Sequence, residues 1–223
     1  IYSWKNENIS TQQTKGKVLL AHGWESRGTA LRMYVQPLLD KGYEIVAFDA
    51  IGHGDSEGKR TNMPENARLI THIIRHLGGV YAVIGHSFGC SSTTFALQKN
   101  PDLYIEKLVF IAVPHSVRRL MDDYFELLHI PNTVKMRFKT MVESIAEEKV
   151  EHLNVATAYP SVSVGNLLLV HDRYDNVTTF DAAENVFDSW DNAFLLITEG
   201  LGHFRLAKNP DVISRIVQFI EEK

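Results

Sequence analysis

The sequence contains very little cysteine: Cys90 is the single one in 223 residues. One cysteine excludes an internal disulfide, so packing has to stabilise the fold, and a reducing compartment is the default expectation. Long hydrophobic runs are also absent, since no apolar segment approaches the roughly 20 residues that span a bilayer. The N-terminal residues are too polar for a secretory signal. We therefore expect a cytoplasmic protein without a membrane span, while a start at Ile1 rather than at methionine leaves room for a preceding segment.

The sequence also lacks an excess of charge of either sign. The 23 Lys and Arg residues and the 27 Asp and Glu residues leave a formal net charge of -4, and no block of like charges occurs. The composition therefore gives no indication of a nucleic-acid or membrane-surface partner. A hydrophobic content of 44% in a chain of this length is typical of one globular domain with a sizeable core. We expect a single domain over residues 1–223.

Short apolar runs alternate with helical patterns along the chain, which is typical of a parallel sheet flanked by helices. The runs are continuous rather than alternating in polarity, as in strands that are covered on both faces. The predicted strands are Val18–Ala21, Tyr43–Phe48, Val80–Ile84, Lys107–Val113, Leu167–His171 and Ala193–Thr198. The predicted helices are Thr29–Lys41, Pro64–Leu77, Ser87–Lys99, Thr179–Trp190 and Pro210–Glu221. The pattern therefore predicts an α/β fold.

Residues 114–160 contain no strand pattern and are predicted to form an insertion with two amphipathic helices. The first helix ends near Pro131 and carries the apolar residues Leu120, Met121, Tyr124, Leu127 and Leu128. The second helix opens after Pro131, which suits a helix start, and carries Val134, Phe138, Met141, Val142 and Ile145. Charged residues lie on the other side of each helix. The apolar faces either pack the insertion onto the core or cover a binding pocket.

The strongest motif is Gly85-His86-Ser87-Phe88-Gly89, which follows one predicted strand and opens a predicted helix. A G-x-S-x-G sequence in this setting predicts a nucleophilic serine on a sharp strand-to-helix turn. Such a turn strains the backbone, and small neighbours relieve the crowding. The N-terminus of the helix supplies N–H groups and a positive dipole end, which favour developing negative charge. Ser87 is therefore the predicted nucleophile.

A serine hydroxyl is a weak nucleophile at neutral pH and needs a base. His203 follows the last predicted strand and precedes the last helix, so it lies at the carboxyl edge of the sheet, as Ser87 does. An orienting acid is expected between serine and histidine in chain order. Asp172 and Asp175 compete for this role, and Asp175 is favoured because it lies farther along the loop, nearer His203. The pattern predicts a catalytic triad of Ser87, His203 and Asp175.

With these motifs the chain resembles the α/β-hydrolase superfamily, from about residue 17 to the end. The resemblance is carried by His22-Gly23, Gly52-His53-Gly54-Asp55-Ser56, Gly85–Gly89, the Asp175 loop and Gly202-His203. It implies a mostly parallel, doubly wound sheet with helices on both faces and a helical lid at about residues 114–160. The hydrophobic residue that the family places two positions after its acid is Val177, which fits Asp175.

The resemblance also implies an oxyanion hole formed by the backbone N–H groups of Trp24 and Phe88. It implies acyl transfer through an acyl-enzyme, as in a carboxylesterase-like serine hydrolase, with esters the leading substrates and thioesters close behind. Peptidase, lyase and cofactor-free peroxidase activities use the same residues and stay open. So does a non-catalytic ligand-binding or receptor protein on this scaffold.

We expect a small-molecule acyl substrate, and neither a cofactor nor a metal, because no histidine pair has metalloprotease spacing. The expected substrate-binding residues are Trp24, Leu120, Tyr124 and Phe138, the last three on the insertion. An apolar roof over the site favours aliphatic or aryl acyl groups. The sequence does not determine an oligomeric state.

Overall fold

The computed structural model describes residues 1–6 and 14–222, in which seven strands form one sheet. The strands are β1 (Tyr2–Trp4), β2 (Lys17–Ala21), β3 (Glu44–Ala47), β4 (Ala82–His86), β5 (Tyr104–Ile111), β6 (Ser163–Asp172) and β7 (Ala193–Thr198). The helices are α1 (Val35–Asp40), α2 (Met63–His76), α3 (Phe88–Lys99), α4 (Val117–Leu127), α5 (Asn132–Ala146), α6 (Asp181–Ser189), α7 (Gly202–Arg205) and α8 (Pro210–Glu221). Short 3-10 turns cover Gly28–Tyr34, Val150–His152, Ala156–Ser161 and Leu206–Lys208.

The strand order in the sheet is β1-β3-β2-β4-β5-β6-β7. Strands β2 to β7 run parallel, and β1 pairs antiparallel with β3 at one edge. The chain moves from β2 outward to β3 and then returns to the other side of β2 with β4. The winding direction therefore reverses between β2 and β4. In open α/β sheets, ligands bind in the crevice at the carboxyl ends of the strands at such a switch point.

Helices cover both faces of the sheet, and each face has its own apolar core. Helices α2, α3 and α6 pack on one face, where Phe95 and the strand residue Leu19 are buried. Helices α1 and α8 pack on the other face, where Ile216 and Leu20 are buried. Successive strand residues thus enter opposite cores, which explains the continuous apolar runs. The predicted fold class, a mostly parallel sheet wound on both faces, is confirmed.

Some elements differ from the sequence prediction. The sequence prediction does not include the edge strand β1, because three residues are too few for a periodic pattern. This strand forms by pairing with β3, with Tyr2 opposite Ala47. The helix predicted at Thr29–Lys41 is a 3-10 turn followed by the short α1, since Leu31 departs from helical geometry at φ -95° and ψ 17°. The remaining predicted strands and helices are present, with ends shifted by a few residues.

The segment between β5 and β6 contains the two helices that the sequence predicts, α4 and α5, joined by a short loop. Met121 and Phe125 are the buried residues of α4, although Phe125 lies outside the predicted apolar face. Val117 is partly buried against the core, whereas Leu120, Tyr124, Leu127 and the following Leu128 are more than half exposed. The first helix is therefore attached to the core by three side chains, and most of its apolar surface faces away from the core.

Most of the apolar stripe of α5 is also exposed. Val134, Phe138, Met141 and Ile145 are each at least 41% exposed, whereas Val142 is partly buried against the core. Directly after α5, Lys99 at the end of α3 donates to the carbonyl of Glu147 at 3.4 Å and pairs with Glu148 at 2.9 Å. Helix α5 thus ends beside the C-terminal end of α3, the end opposite to Ser87.

Candidate active site

Strand β4 ends at His86 and α3 begins at Phe88, so Ser87 alone makes the turn from strand to helix. Its backbone has φ 50° and ψ -113°, which is strained for a residue with a Cβ. Gly89 permits this turn, because a Cβ there would overlap the carbonyl oxygen of Ala21. Close packing of α3 against β2 therefore holds Ser87 in its strained conformation.

Backbone hydrogen bonds fix the turn from both sides. The N–H of Ser87 donates to the carbonyl of Ile111 at 3.0 Å, and the N–H of Cys90 donates to the carbonyl of Ser87 at 2.8 Å. The N–H of Phe88, the first residue of α3, has no intrahelical acceptor. Within residues 1–6 and 14–222 the Ser87 hydroxyl makes no hydrogen bond. The turn thus presents a hydroxyl next to an N–H that has no acceptor.

The ring of His203, in the short helix α7, is buried against the loop that follows β6. Its Nδ1 lies 2.8 Å from Oδ2 of Asp175. A carboxylate only accepts hydrogen bonds, so Nδ1 carries the proton and the Nε2 of the neutral ring keeps a lone pair. The hydroxyl of Thr178 lies 3.1 Å from the same carboxylate oxygen and 3.2 Å from Nδ1. These contacts fix both the tautomer and the orientation of the ring.

Asp175 is buried but well supplied with hydrogen bonds. Its Oδ1 accepts the N–H groups of Val177 at 2.8 Å and Thr178 at 3.0 Å. Burial by itself raises the pKa of Asp175, but the hydrogen bonds from His203, Val177 and Thr178 outweigh it and hold the pKa below its ordinary value. The carboxylate therefore stays charged at neutral pH and can stabilise a positive charge on His203.

Asp172, the competing acid, lies buried at the end of β6 and binds other groups. Its Oδ2 accepts the hydroxyl of Thr198 and the N–H of Leu201, both at 2.8 Å, and its Oδ1 accepts the N–H of Tyr174 at 3.0 Å. Burial raises the pKa of Asp172, and these hydrogen bonds lower it by more. In the described part of the chain no hydrogen bond joins Asp172 to His203. Asp172 instead holds the loop that leads into α7.

Trp24 follows β2 at the switch point of the sheet. Ala21 pairs in register with Gly85, so the loop after β2 and the Ser87 turn leave the sheet side by side. The Trp24 ring, half exposed, lies edge-on to the rings of Phe88 at 5.1 Å and His53 at 5.2 Å between centroids. The backbone N–H of Trp24 has no acceptor among the residues that the structure describes. This N–H and that of Phe88 thus belong to the two loops that meet beside Ser87.

Two histidines hold the Trp24 loop in place. Nδ1 of His22 donates to the carbonyl of Gly23 at 2.7 Å, and its Nε2 accepts the N–H of Ala50 at 3.0 Å. Nε2 of His53 accepts the N–H of Glu25 at 3.2 Å. A ring nitrogen can accept only when the ring is neutral. Burial lowers the pKa of His22, which favours this neutral form.

His86 joins the Ser87 turn to the loop of His203. Its Nε2 lies 3.0 Å from the backbone carbonyl of His203, and the two rings are 4.9 Å apart between centroids. Burial lowers the pKa of His86 to about 4, so the ring is neutral at pH 7 and donates from Nε2. The sequence prediction treats this residue as the variable position of the motif and also omits Thr178. The sequence offers one signal for Thr178, a hydroxyl residue three positions after the acid Asp175. For His86 the sequence offers no such signal.

Three of the expected substrate-binding residues, Leu120, Tyr124 and Phe138, lie on α4 and α5. Phe138 is edge-on to Phe125, with 5.7 Å between ring centroids. Across residues 14–222 none of the three makes a hydrogen bond or ring contact with the Ser87 turn or with Trp24. The structure brings together the predicted triad acid and base and the Trp24–Phe88 pair, and contact of the other three side chains with a substrate stays a prediction.

The surroundings of the site offer space but no metal-binding cluster. A cleft of about 510 Å³ opens on the Trp24 side and is also lined by His53, Lys59 and Arg60. In the described part of the chain, no group of three or more His, Cys, Asp and Glu side chains could hold a metal ion. No helix there is long and apolar enough to cross a membrane.

Comparison with known proteins bears on the family. The family model described as the alpha/beta hydrolase family matches residues 18–216. The pyrethroid hydrolase of Sphingobium wenxiniae is 26% identical over 118 residues, which cover 52% of this chain and 42% of that protein. The uncharacterized hydrolase YugF of Bacillus subtilis is 30% identical over 118 residues, which cover 51% of this chain and 42% of YugF. The chain thus matches about two fifths of the length of these relatives.

Solved structures share the fold at low sequence identity. The esterase EaEST from Exiguobacterium antarcticum superposes with a TM-score of 0.71 at 16% identity, over 94% of this chain and 93% of that one. At this identity the likeness concerns the fold alone. The fold is thus the one found in this solved esterase.

The buried His86 predicts a pH dependence of stability. The unfolded chain takes up a proton near the ordinary histidine pKa of 6.5, whereas the folded chain does so only near pH 4. His86 therefore costs no stability above pH 6.5, and its cost grows to about 3 kcal/mol as pH falls to 4. In urea unfolding, we expect the free energy of unfolding of His86→Gln to fall less than that of the wild type as the pH is lowered to 4. His76→Gln on the exposed face of α2 is the control. Parallel pH profiles of the free energy of unfolding for wild type and His86→Gln would contradict the lowered pKa of His86.

Proposed function

The chain belongs to the alpha/beta hydrolase family, and on that basis we propose that it is a serine hydrolase that cleaves a carboxylic ester or thioester. The observation that carries the proposal is the buried hydrogen bond of 2.8 Å between His203 and Asp175, which leaves Nε2 of His203 with a lone pair. A histidine fixed in this tautomer is suited to act as a general base. Ser87, on its strained turn, is the proposed nucleophile.

In the proposed first step, Nε2 of His203 takes the proton of the Ser87 hydroxyl while the serine oxygen bonds to the carbonyl carbon. The carbonyl electron pair moves to its oxygen, and its return breaks the bond to the leaving alcohol or thiol, which takes the proton from His203. Water then repeats the sequence on the acyl-enzyme and releases the acid. The charged carboxylate of Asp175 stabilises the transient imidazolium, a role supported by the lowered pKa of Asp175.

The proposed oxyanion hole consists of the backbone N–H groups of Trp24 and Phe88. Neither N–H has a protein acceptor within the described ranges, and the two loops that carry them leave the sheet side by side. Phe88 also opens the 12-residue helix α3, whose N-terminus favours negative charge. Donors fixed before the reaction stabilise a developing oxyanion without reorganisation.

The proposed substrate is a small molecule with an apolar acyl group. We assign α4 and α5, within residues 114–160, to a lid on a single domain, because their apolar side chains Leu120, Tyr124 and Phe138 are exposed and available to a ligand. Burial of a methylene contributes about 0.8 kcal/mol. Similarity to a pyrethroid hydrolase and to an esterase supports hydrolysis of an ester.

The nucleophile is tested by replacing Ser87. We expect Ser87→Ala to lose roughly 10⁴–10⁶ in kcat on ester or thioester substrates, because the members of a triad act as a unit. A fluorophosphonate probe should label the wild type at Ser87 and should not label the variant. Ser91→Ala on the same helix is the control. Absence of labelling in the wild type would favour a non-catalytic binding protein, and more than a tenth of the wild-type rate in Ser87→Ala would contradict the assignment.

The acid is tested by two matched amide variants. We expect Asp175→Asn to reduce kcat roughly 10²–10⁴-fold, because an amide neither stabilises imidazolium nor holds the required tautomer. Asp172→Asn should reduce kcat less than about tenfold, since Asp172 binds the loop rather than the ring of His203. Steady-state kinetics of both purified variants decide the point. A larger loss in Asp172→Asn would show that the roles are reversed.

The acyl preference is tested with p-nitrophenyl esters of two to six carbons and matched thioesters. We expect kcat/KM to rise over the first added carbons, by up to about fourfold for each fully buried methylene. A charged acyl group should be a poor substrate. Tyr124→Ser, on the proposed lid, should flatten this rise, and Tyr104→Ser, on another exposed tyrosine at the start of β5, is the control. A flat series in the wild type would refute the apolar acyl site.

A further inference from the structure

We propose that His86 is a positioning residue that holds the His203 loop and the Trp24 loop at fixed places on either side of the Ser87 turn. The inference rests on the proposed function, since it assigns a role within that site. His86 lies directly before Ser87 in the chain, at the end of β4. Its side chain is buried.

One edge of the His86 ring holds the loop of the proposed base. Nε2 donates to the backbone carbonyl of His203 at 3.0 Å, across 117 positions of sequence. The loop needs this support, because α7 is only four residues long and both Gly200 before it and Gly202 at its start have positive φ. Asp175 and Thr178 fix the ring of His203, and His86 fixes its backbone.

The other ring nitrogen, Nδ1, faces the loop of the proposed oxyanion donor. A Cβ placed on Gly23 would lie 2.8 Å from Nδ1 of His86 and 3.5 Å from the carbonyl oxygen of His86. The ring therefore packs directly on the backbone of Gly23, the residue before Trp24. One planar side chain thus fills the gap between the two loops and sets their separation.

The ring keeps one protonation state across the pH range in which hydrolysis is measured. Burial lowers the pKa of His86 to about 4, and His203 and Lys208 also oppose its protonation, whereas the carbonyl of His203 and Asp175 favour it. The Nε2–H donor is therefore present on the neutral ring throughout. His86 acts through the backbone of its neighbours and takes no proton from a substrate.

The test compares two side chains of equal length at this position. His86→Gln keeps an N–H that can reach the His203 carbonyl, whereas His86→Met keeps the volume without a donor. We expect His86→Met to lower kcat about 10²-fold with KM changed less than threefold, because a displacement of about 1 Å costs that much. His86→Gln should stay within tenfold of the wild type. The rate of fluorophosphonate labelling of Ser87 should follow kcat, and His76→Gln and His76→Met should change neither.

A second readout does not depend on activity. The low-field Nδ1 proton resonance of His203, which reports its hydrogen bond to Asp175, should persist in His86→Gln and broaden or shift in His86→Met. If His86→Met does not fold, Gly23→Ala replaces it, since its Cβ would displace the ring, and kcat should fall at least tenfold. A folded His86→Met, judged by circular dichroism at the assay temperature, with wild-type kcat and an unchanged resonance would overturn the inference. A wild type with neither turnover nor labelling would overturn the proposed function, and the resonance would then decide the role of His86.

Discussion

The strained backbone of Ser87 is the constraint on which the rest of the site depends. A residue with a Cβ at φ 50° persists only where its surroundings hold it, and here α3 packs so closely on β2 that Gly89 has no room for a Cβ. The same packing aligns the first N–H groups of α3 with the turn. The strained turn and the open N-terminus of α3 therefore both depend on this contact between helix and strand.

The loops around this turn are held by histidine rings as well as by buried carboxylates. His22 and His53 accept backbone N–H groups from the loops beside Trp24, and His86 donates to the backbone of His203. Burial lowers the pKa values of His22 and His86, so the hydrogen bonds of these two rings persist at neutral pH. A ring can both donate and accept, which suits the crowded edge of a sheet where backbone groups of both kinds are left over. The acid Asp172 serves the loop before His203 in the same way.

The helices α4 and α5 contact the rest of the protein in a different way. Met121 and Phe125 attach α4 to the core, and just after α5 Glu148 pairs with Lys99 of α3 at 2.9 Å. Most of the other apolar side chains of the two helices remain exposed. These exposed apolar side chains are the basis of the lid that we propose for α4 and α5. An amphipathic pattern predicts that a helix has an apolar and a polar face, but the elements packed against the helix determine which face is buried.

The sequence by itself determined the order of the parallel strands and of most helices, the fold class and the turn at Ser87, because each is encoded in short-range patterns of apolar residues and glycines. It also limited the acid to Asp172 or Asp175, since both follow one strand. Only the tertiary structure decided which carboxylate hydrogen-bonds His203, because the two differ in the direction in which a loop folds back. The contact of His86 with His203 spans 117 positions and has no local pattern, so it becomes visible only when the sheet brings its strand ends together.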